Sequence, residues 1–271
     1  MAVPAPNQRQ GPGAAGNRVA PAVQLANIWP VKVSVIVPAY NEERLLGETL
    51  LHIKRAMEVL TKREWSTELI VCDNNSTDRT AQIAREAGAT IVFEPINQIA
   101  RARNCGAAAA TGDWFVFVDA DSHPSTELFE DVATRISSGR CVAGGSTVRL
   151  EAGYPMASLL TLGWSLVSRS QRLLAGSFIF CEAHAFRKVG GFSNELFAGE
   201  ELELSQRLKK LAKDTGRELV ILHRHPLLTS ARKMRLYKAR ELLWFFLRAA
   251  FNQKKMLTSR EACHPWYDGR R

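Results

Sequence analysis

The stretch FVFVDADSHP, Phe115 to Pro124, begins as chain that a protein buries and ends as chain that it exposes. Phe115, Val116, Phe117 and Val118 favour a strand and are apolar on both faces, as in a strand covered on each side. Asp119 and Asp121 follow, one residue apart. Residues two apart on an extended chain point the same way, so two carboxylates would share one spot at the end of a buried strand. Like charges so placed need a counter-charge, and the rest of the sequence has to supply it.

Upstream, VKVSVIVPAY gives a buried strand over Val31–Val37, ended by Pro38, which has no N–H for a central ladder. Leu46, Leu50, Ile53, Met57 and Leu60 recur at spacings of three and four, which predicts a helix from about Glu42 to Leu60. TELIVCD is a second buried strand ending at Asp73, followed by the turn and cap residues Asn74, Asn75, Ser76, Thr77 and Asp78. A helix over Arg79–Ala87 closes on Gly88, ATIVFEP is a third strand, and Gln98–Ala110 is a helix closing on Gly112. The opening stretch is the fourth strand. Strands alternating with helices predict an α/β fold, a mostly parallel sheet with helices on both faces. Ligands of such sheets bind outside the carboxyl ends of the strands. The polar clusters fall at those ends: Tyr40 and Asn41, Asp73 to Asp78, and the pair Asp119 and Asp121.

The 271 residues, 46% hydrophobic, suffice for one main domain. The first thirty hold no acid and lack apolar periodicity, so residues 1–30 are expected to be a disordered leader, with no apolar run that would mark export. Five scattered cysteines with no C-x-x-C spacing fit reduced thiols in a cytoplasm. The net charge of +9 is concentrated at the C-terminus, where residues from Arg224 onward carry twelve Lys/Arg against three Asp/Glu. Within that tail, RELLWFFLRAAF sets Leu242, Leu243, Phe245, Phe246 and Phe251 beside Arg240, Arg248, Lys254 and Lys255, a pattern that favours lipid over nucleic acid. The run is far shorter than the roughly 20 apolar residues that span a bilayer. A peripheral contact with the inner face of a membrane is one reading of this basic helix; packing on the protein with solvated charges is the other.

No cysteine or histidine cluster sits beside Asp119 and Asp121, so oxygen ligation would suit a hard divalent ion, Mn²⁺ or Mg²⁺, which keeps positions for substrate phosphates. A lone D-x-D is weak evidence. Its place at the carboxyl end of a buried strand makes it stronger.

Four stretches in order, VSVIVPAYNEE, ELIVCDNNSTDRT, RARNCGAAAATGDWFVFVDADS and GGFSNELFAGEELELSQRL, resemble the motifs of family-2 glycosyltransferases with the nucleotide-diphospho-sugar transferase (GT-A) fold. The resemblance runs from about Val31 to Leu211. It implies a catalytic domain over residues 31–230, and the charge pattern adds a basic helical extension over 231–271. The resemblance also implies a nucleoside diphosphate sugar donor and a hydroxyl acceptor on a sugar, lipid or small molecule; the tail pattern, favouring lipid, gives no expectation of a nucleic-acid partner. By the same resemblance Asp73 contacts the nucleotide base, and Pro38, Ala39, Tyr40 and Glu42 line its pocket. Asp119 and Asp121 hold the metal and, through it, the diphosphate.

Direct displacement at a sugar also requires a base opposite the leaving group to take the acceptor's proton. In AGEELELSQRLKKLAK, Leu204, Leu208 and Leu211 define the buried stripe of a helix, which places Glu200 and Glu201 in its first turn, facing inward. Acids also occur in first turns for helix-dipole reasons alone. The family pattern at this place is Glu-Asp, so Glu201 matches the base with one extra methylene, and which glutamate takes the proton stays open.

Arg101, Arg103 and Asn104 would place positive charge and an amide near the diphosphate, or lie on a solvated helix face. His223 and His225, in LHRHP after the last core strand ELVILH, are candidates to complete the metal site, and Arg232 and Lys233 to close over the diphosphate. Tyr154 to Phe180 borders the acceptor in relatives, with Trp164 stacking on a sugar or lying in a core. A nucleotidylyltransferase would want a Gly-rich basic loop after the first strand, whereas PAYNEE is acidic and lacks glycine. No strand is followed by G-x-G-x-x-G, which argues against dinucleotide binding. A catalytically silent sugar-nucleotide or membrane-binding module would have no use for the intact acidic pairs. The chain also has neither the membrane helices nor the Q-x-x-R-W motif of processive synthases resembling this family, so transfer of a single sugar is expected.

Overall fold

The computed structural model describes residues 1, 30–150, 163, 165–174, 176–230, 232, 257–261 and 263. The expected leader, most of the basic extension including Lys233, and most of the Tyr154–Trp164 stretch lie outside the described residues. Among the described residues no helix is long and apolar enough to cross a membrane. All five cysteines are free thiols.

The first half of the chain alternates as its periodicities require. Strand β1 (Lys32–Ala39) leads through α1 (Leu46–Thr61) to β2 (Ser66–Asp73), α2 (Thr80–Glu86) and β3 (Thr90–Phe93). Helix α3 (Ile99–Ala109) then leads to β4 (Trp114–Val118). The second half adds β5 (Ser122–His123), α4 (Thr126–Ser137), β6 (Cys141–Leu150), β7 (Phe178–Glu182), α5 (Ala183–Lys188), α6 (Glu200–Asp214) and β8 (Glu218–Thr229). All eight strands join one sheet in the order β3-β2-β1-β4-β7-β6-β8-β5. Pairing is parallel from β3 to β4 and between β6 and β8. It is antiparallel where β7 meets β4 and β6 and where β5 meets β8. The parallel pattern therefore dominates, with β7 reversed in the middle.

Period-two alternation sorts the core. Val116 and Val118 of β4, with Val33, Val35 and Val37 of β1, pack under α1 and α4, while Phe115 and Phe117 pack under α3, α5 and α6. Phe117 and Phe192 meet edge to face, ring centres 5.1 Å apart, and each buried aromatic of this kind contributes about 1.5–3 kcal/mol. The expected α1 stripe is buried, but the helix begins at Leu46 because Asn41 adopts a left-handed φ of 51° and residues 43–45 form a turn. Ser125 caps α4, its hydroxyl accepting from the Leu128 N–H at 3.2 Å.

Pro38 does not end β1. Ala39 accepts the Asn74 N–H on the β2 side, so Pro38, one residue earlier, turns its backbone to the β4 side, where pairing has already stopped at Ile36 and Phe117. Its missing N–H falls where no ladder asks for it. The stretch LHRHP lies within β8 rather than after it. Leu222 pairs with Ser146 and Leu227 with Val148, so residues 223–226 bulge opposite the single residue Thr147.

Candidate active site

The turns after β1, β2 and β4 lie side by side because β1 sits between β2 and β4, and the chain order reverses there. Asn41 Oδ1 accepts the Thr77 N–H at 2.8 Å, and its own N–H donates to Ser76 Oγ at 3.0 Å. The Glu42 N–H donates to Thr80 Oγ1 at 2.8 Å. Asp73 closes its turn by accepting the Ser76 N–H at 2.9 Å. Pro38, Ala39, Tyr40, Glu42 and Asp73 are thereby gathered at two adjacent strand ends, with Ala39 in the layer under α1 and Glu42 and Asp73 nearly buried.

Strand β4 does not persist through the aspartates. The Ser122 N–H donates to the Asp119 carbonyl at 3.1 Å, closing a turn, so the two carboxylates are not successive members of one strand face. Each meets its own arginine. Arg103, on the buried stripe of α3 with Ala100 and Ala107, donates from Nη2 to Asp119 Oδ1 at 2.9 Å and to the Gly176 carbonyl at 2.8 Å. Its Nη1 donates to Glu200 Oε1 at 2.6 Å. The Arg103 side chain is 1% exposed and lies over the Phe192 ring. Burial opposes its charge, yet Asp119 and Glu200, with Glu201 beyond them, hold the guanidinium pKa above its ordinary value. Arg103 is a fixed buried cation.

Glu200 lies on the same buried stripe of α6 as Leu204 and Leu208, which delivers its carboxylate to Arg103. Glu201 is only partly buried. Desolvation first, and the Glu200 charge second, push its carboxyl up to about 8 against the pull of Arg103. Gly176 makes room for this arrangement: a Cβ there would lie 3.3 Å from Arg103 Nη2 and 3.5 Å from Glu201 Cδ. Leu257 lies at the start of α6, where the Phe197 N–H donates to its carbonyl at 2.6 Å and its side chain packs against Gly199.

Asp121 meets Arg232, three residues past the end of β8. Arg232 makes a two-pronged contact with Glu42, 2.7 Å on each arm, and its Nη2 stands 3.6 Å from Asp121 Oδ2. That arginine therefore links the turn after β1 to the turn after β4. The 3.6 Å separation exceeds hydrogen-bond length, so the contact is looser than that of Arg103 with Asp119.

A hard divalent ion, Mn²⁺ or Mg²⁺, fits Asp119 and Asp121 by donor type. Both offer carboxylate oxygen, and among the described residues no third His, Cys, Asp or Glu groups with them. Such a pair leaves the remaining positions to phosphate and water, the pattern these ions prefer. His223 and His225 are not brought to this pair. His223 is exposed, and His225 Nδ1 lies 3.0 Å from Asp131 Oδ2 of α4. Both sit in the β8 bulge, well before Thr229, whose neighbour Ser230 donates its N–H to the Asp121 carbonyl at 3.0 Å. Arg101 pairs with Glu94 at 3.5 Å. Asn104 binds Phe192 and Asn194 and holds the loop before α6.

The pairing of Arg103 with Asp119 and Glu200 was the part sequence reasoning left undecided. Its signal was available in the spacing of Ala100, Arg103 and Ala107, an arginine on an otherwise apolar stripe.

Residues 34–188, more than half of the chain, match the family described as Glycosyl transferase family 2. The chain belongs to glycosyltransferase family 2. It is 33% identical over 124 residues to a dolichol-phosphate mannosyltransferase of Pyrococcus furiosus, covering 43% of this chain and 33% of that protein. It is 28% identical over 206 residues to glycosyltransferase AglE of Haloferax volcanii, covering 70% and 64%. The chain thus spans between a third and two thirds of the length of these two relatives. Its fold is that of the mannosyltransferase PcManGT from Pyrobaculum calidifontis, solved with GDP-Man and Mn²⁺, at a TM-score of 0.62 and 22% identity over 88% of this chain and 65% of that one. Glucosyl-3-phosphoglycerate synthase of Mycobacterium tuberculosis, solved with Mn²⁺, UDP and phosphoglyceric acid, aligns at 0.55 and 18% identity over 86% and 78%. The family match ends before α6, so roles for Glu200 and Glu201 rest on the local geometry.

Proposed function

We propose that this family-2 chain transfers one sugar from a nucleoside diphosphate sugar to an acceptor hydroxyl with inversion, using a divalent cation. The observation that carries this is the joining of Asp119 and the Glu200–Glu201 pair through one buried guanidinium. It gathers a diphosphate-side carboxylate and the first turn of α6, with its candidate proton acceptor, around one fixed cation.

The nucleotide lies at the β1 and β2 ends, where Asp73 offers its carboxylate to the base and Tyr40 and Glu42 bound the pocket. Glu200 is occupied by Arg103, which leaves Glu201 as the base. Its raised pKa makes it a stronger base than an ordinary carboxylate, one that is free to accept a proton on the alkaline side of neutrality. As the acceptor oxygen bonds to the anomeric carbon, its proton passes to Glu201 and the bond to the diphosphate oxygen breaks, the electron pair leaving with the diphosphate. A cation held by Asp119 and Asp121 would offset the charge gathered on that leaving group. Arg232, released from Glu42, is placed to meet the same diphosphate. The solved relatives support this reading by what they were crystallised with: GDP-Man and Mn²⁺ in one, Mn²⁺ and UDP in another.

The test is a screen of UDP-, GDP- and dTDP-sugars with Mn²⁺ or Mg²⁺, scoring binding and slow donor hydrolysis. One nucleotide should bind in a metal-dependent way, and Asp121→Asn should abolish hydrolysis while the protein stays folded. The anomeric configuration of the product, read by NMR, decides inversion. Failure of every donor with either metal overturns the proposal.

A further inference from the structure

A second cluster of ligating side chains lies apart from the aspartate turn. Glu48 and His52 are four residues apart on α1, which places them on one face, and His123 of β5 approaches that face from the sheet. Each of the three offers one ligand atom, and these atoms lie within 4.8 Å of one another. The His52 and His123 rings stack, centres 4.6 Å apart and 13° from parallel, and His52 Nε2 is 4.0 Å from Glu48 Oε1. His123 is 9% exposed, and its Nε2 is buried without a hydrogen-bond partner. Stacking alone leaves that nitrogen unmet, a cost that native interiors rarely carry.

We infer that Glu48, His52 and His123 form a site for a borderline divalent transition metal, Zn²⁺ or a close analogue. The inference goes beyond sugar transfer and does not rest on it. Two imidazoles and one carboxylate are a donor set that suits zinc, whereas the oxygen-only pair at Asp119 and Asp121 suits manganese or magnesium. A tetrahedral ion with ligands at about 2.0–2.1 Å would draw the three atoms to roughly 3.4 Å apart. Rotation of Glu48, which is exposed, and of His52, which is partly exposed, supplies that closure while His123 stays fixed in β5. The ion would satisfy the orphaned nitrogen. It would also clamp α1 to the chain two residues beyond Asp121, where Thr49 Oγ1 already donates to the Ala120 carbonyl at 2.9 Å.

The experiment uses the full chain freed of metal by chelation, titrated with Zn²⁺ by calorimetry and with Co²⁺ by visible absorption. Wild type should bind one tight equivalent of Zn²⁺ that excess Mn²⁺ does not displace, show the intense d–d bands of tetrahedral Co²⁺, and melt several degrees higher with Zn²⁺. His52→Gln, a change on the surface of α1, should lose the tight equivalent and the Co²⁺ bands while melting cooperatively. Glu48→Gln should weaken Zn²⁺ roughly tenfold or more. Asp121→Asn, which removes the other carboxylate site, should bind Zn²⁺ as wild type does. The inference is overturned if wild type binds no tight Zn²⁺, if His52→Gln binds it as tightly, or if Asp121→Asn is the variant that loses it.

Discussion

Arg103 and Arg232 each answer one aspartate of the same turn, from environments that differ in nearly every physical respect. Arg103 projects from the middle of a helix, is 1% exposed and divides its hydrogen bonds among Asp119, Glu200 and the Gly176 carbonyl. Arg232 stands beyond the end of the last strand, is 14% exposed, gives both arms to Glu42 and leaves Asp121 at 3.6 Å. The first is framework: the guanidinium itself is almost wholly buried, and Glu200 is buried with it. In the proposed reaction the second is exchangeable, because the groups it holds are those a nucleotide diphosphate and its cation would engage. One turn thus carries a fixed counter-charge and, on that proposal, a replaceable one, which is how two aspartates can follow directly on a buried strand.

The largest effect should come from removing the fixed cation. Arg103→Met leaves Asp119 and Glu200 desolvated and unpaired, and urea unfolding should show a loss of about 3–5 kcal/mol together with loss of transfer. Arg103→Lys should recover only part of it, since an ammonium cannot reach three acceptors with a planar fork. A loss below about 1 kcal/mol for the Met variant would erase the distinction between the two arginines.

Glu201→Gln comes next. Turnover should fall roughly 10²- to 10⁴-fold. In wild type kcat/KM should rise through a pH of about 8, and the variant should lack that limb. The stability consequence has a definite sign. A carboxyl whose folded pKa is raised from 4.5 to about 8 contributes stability that is full below 4.5 and lost as pH climbs through 8. Thermal melts without metal or donor should therefore show Glu201→Gln gaining on wild type between pH 5 and 9. A constant offset would mean that Glu201 titrates as an ordinary surface acid.

The smallest effect belongs to the replaceable cation. Arg232→Ala should cost about 1.5–3 kcal/mol, the scale of hydrogen bonds to charged groups. With its competitor gone from Asp121, Mn²⁺ should bind the donor-free protein several-fold more tightly, while the donor KM rises. Weaker Mn²⁺ binding would show that Arg232 holds the turn in place, as Arg103 does.

How much of this was legible varies along the chain. The strands over Val33–Val37, Leu69–Asp73 and Phe115–Val118, and the acidic turns beyond them, follow from local apolar runs, so their place at one edge of a parallel sheet could be read directly. Glu200 and Glu201 were recognisable as first-turn acids, but which of the two is held in an ion pair was not. It depends on Arg103, which lies 97 residues earlier in the chain than Glu200. LHRHP misled because a bulge inside a strand and a loop after one share the same composition; only the pairing of β8 with β6 tells them apart. Pro38 misled for a related reason. A proline is barred only from the side of a strand that has a neighbour, and which side that is belongs to the sheet.

The sequence by itself determined what depends on short-range periodicity: the alternation of strand and helix, the buried faces, and the exit of two aspartates from the end of a core strand. Tertiary structure alone decided which cation meets which carboxylate, which glutamate an arginine holds, and that two histidines 71 residues apart stack against each other. The reason is that hydrophobic burial is summed along each element from its own residues. The energy of a buried charge is set by partners that only the folded chain brings within a few ångströms.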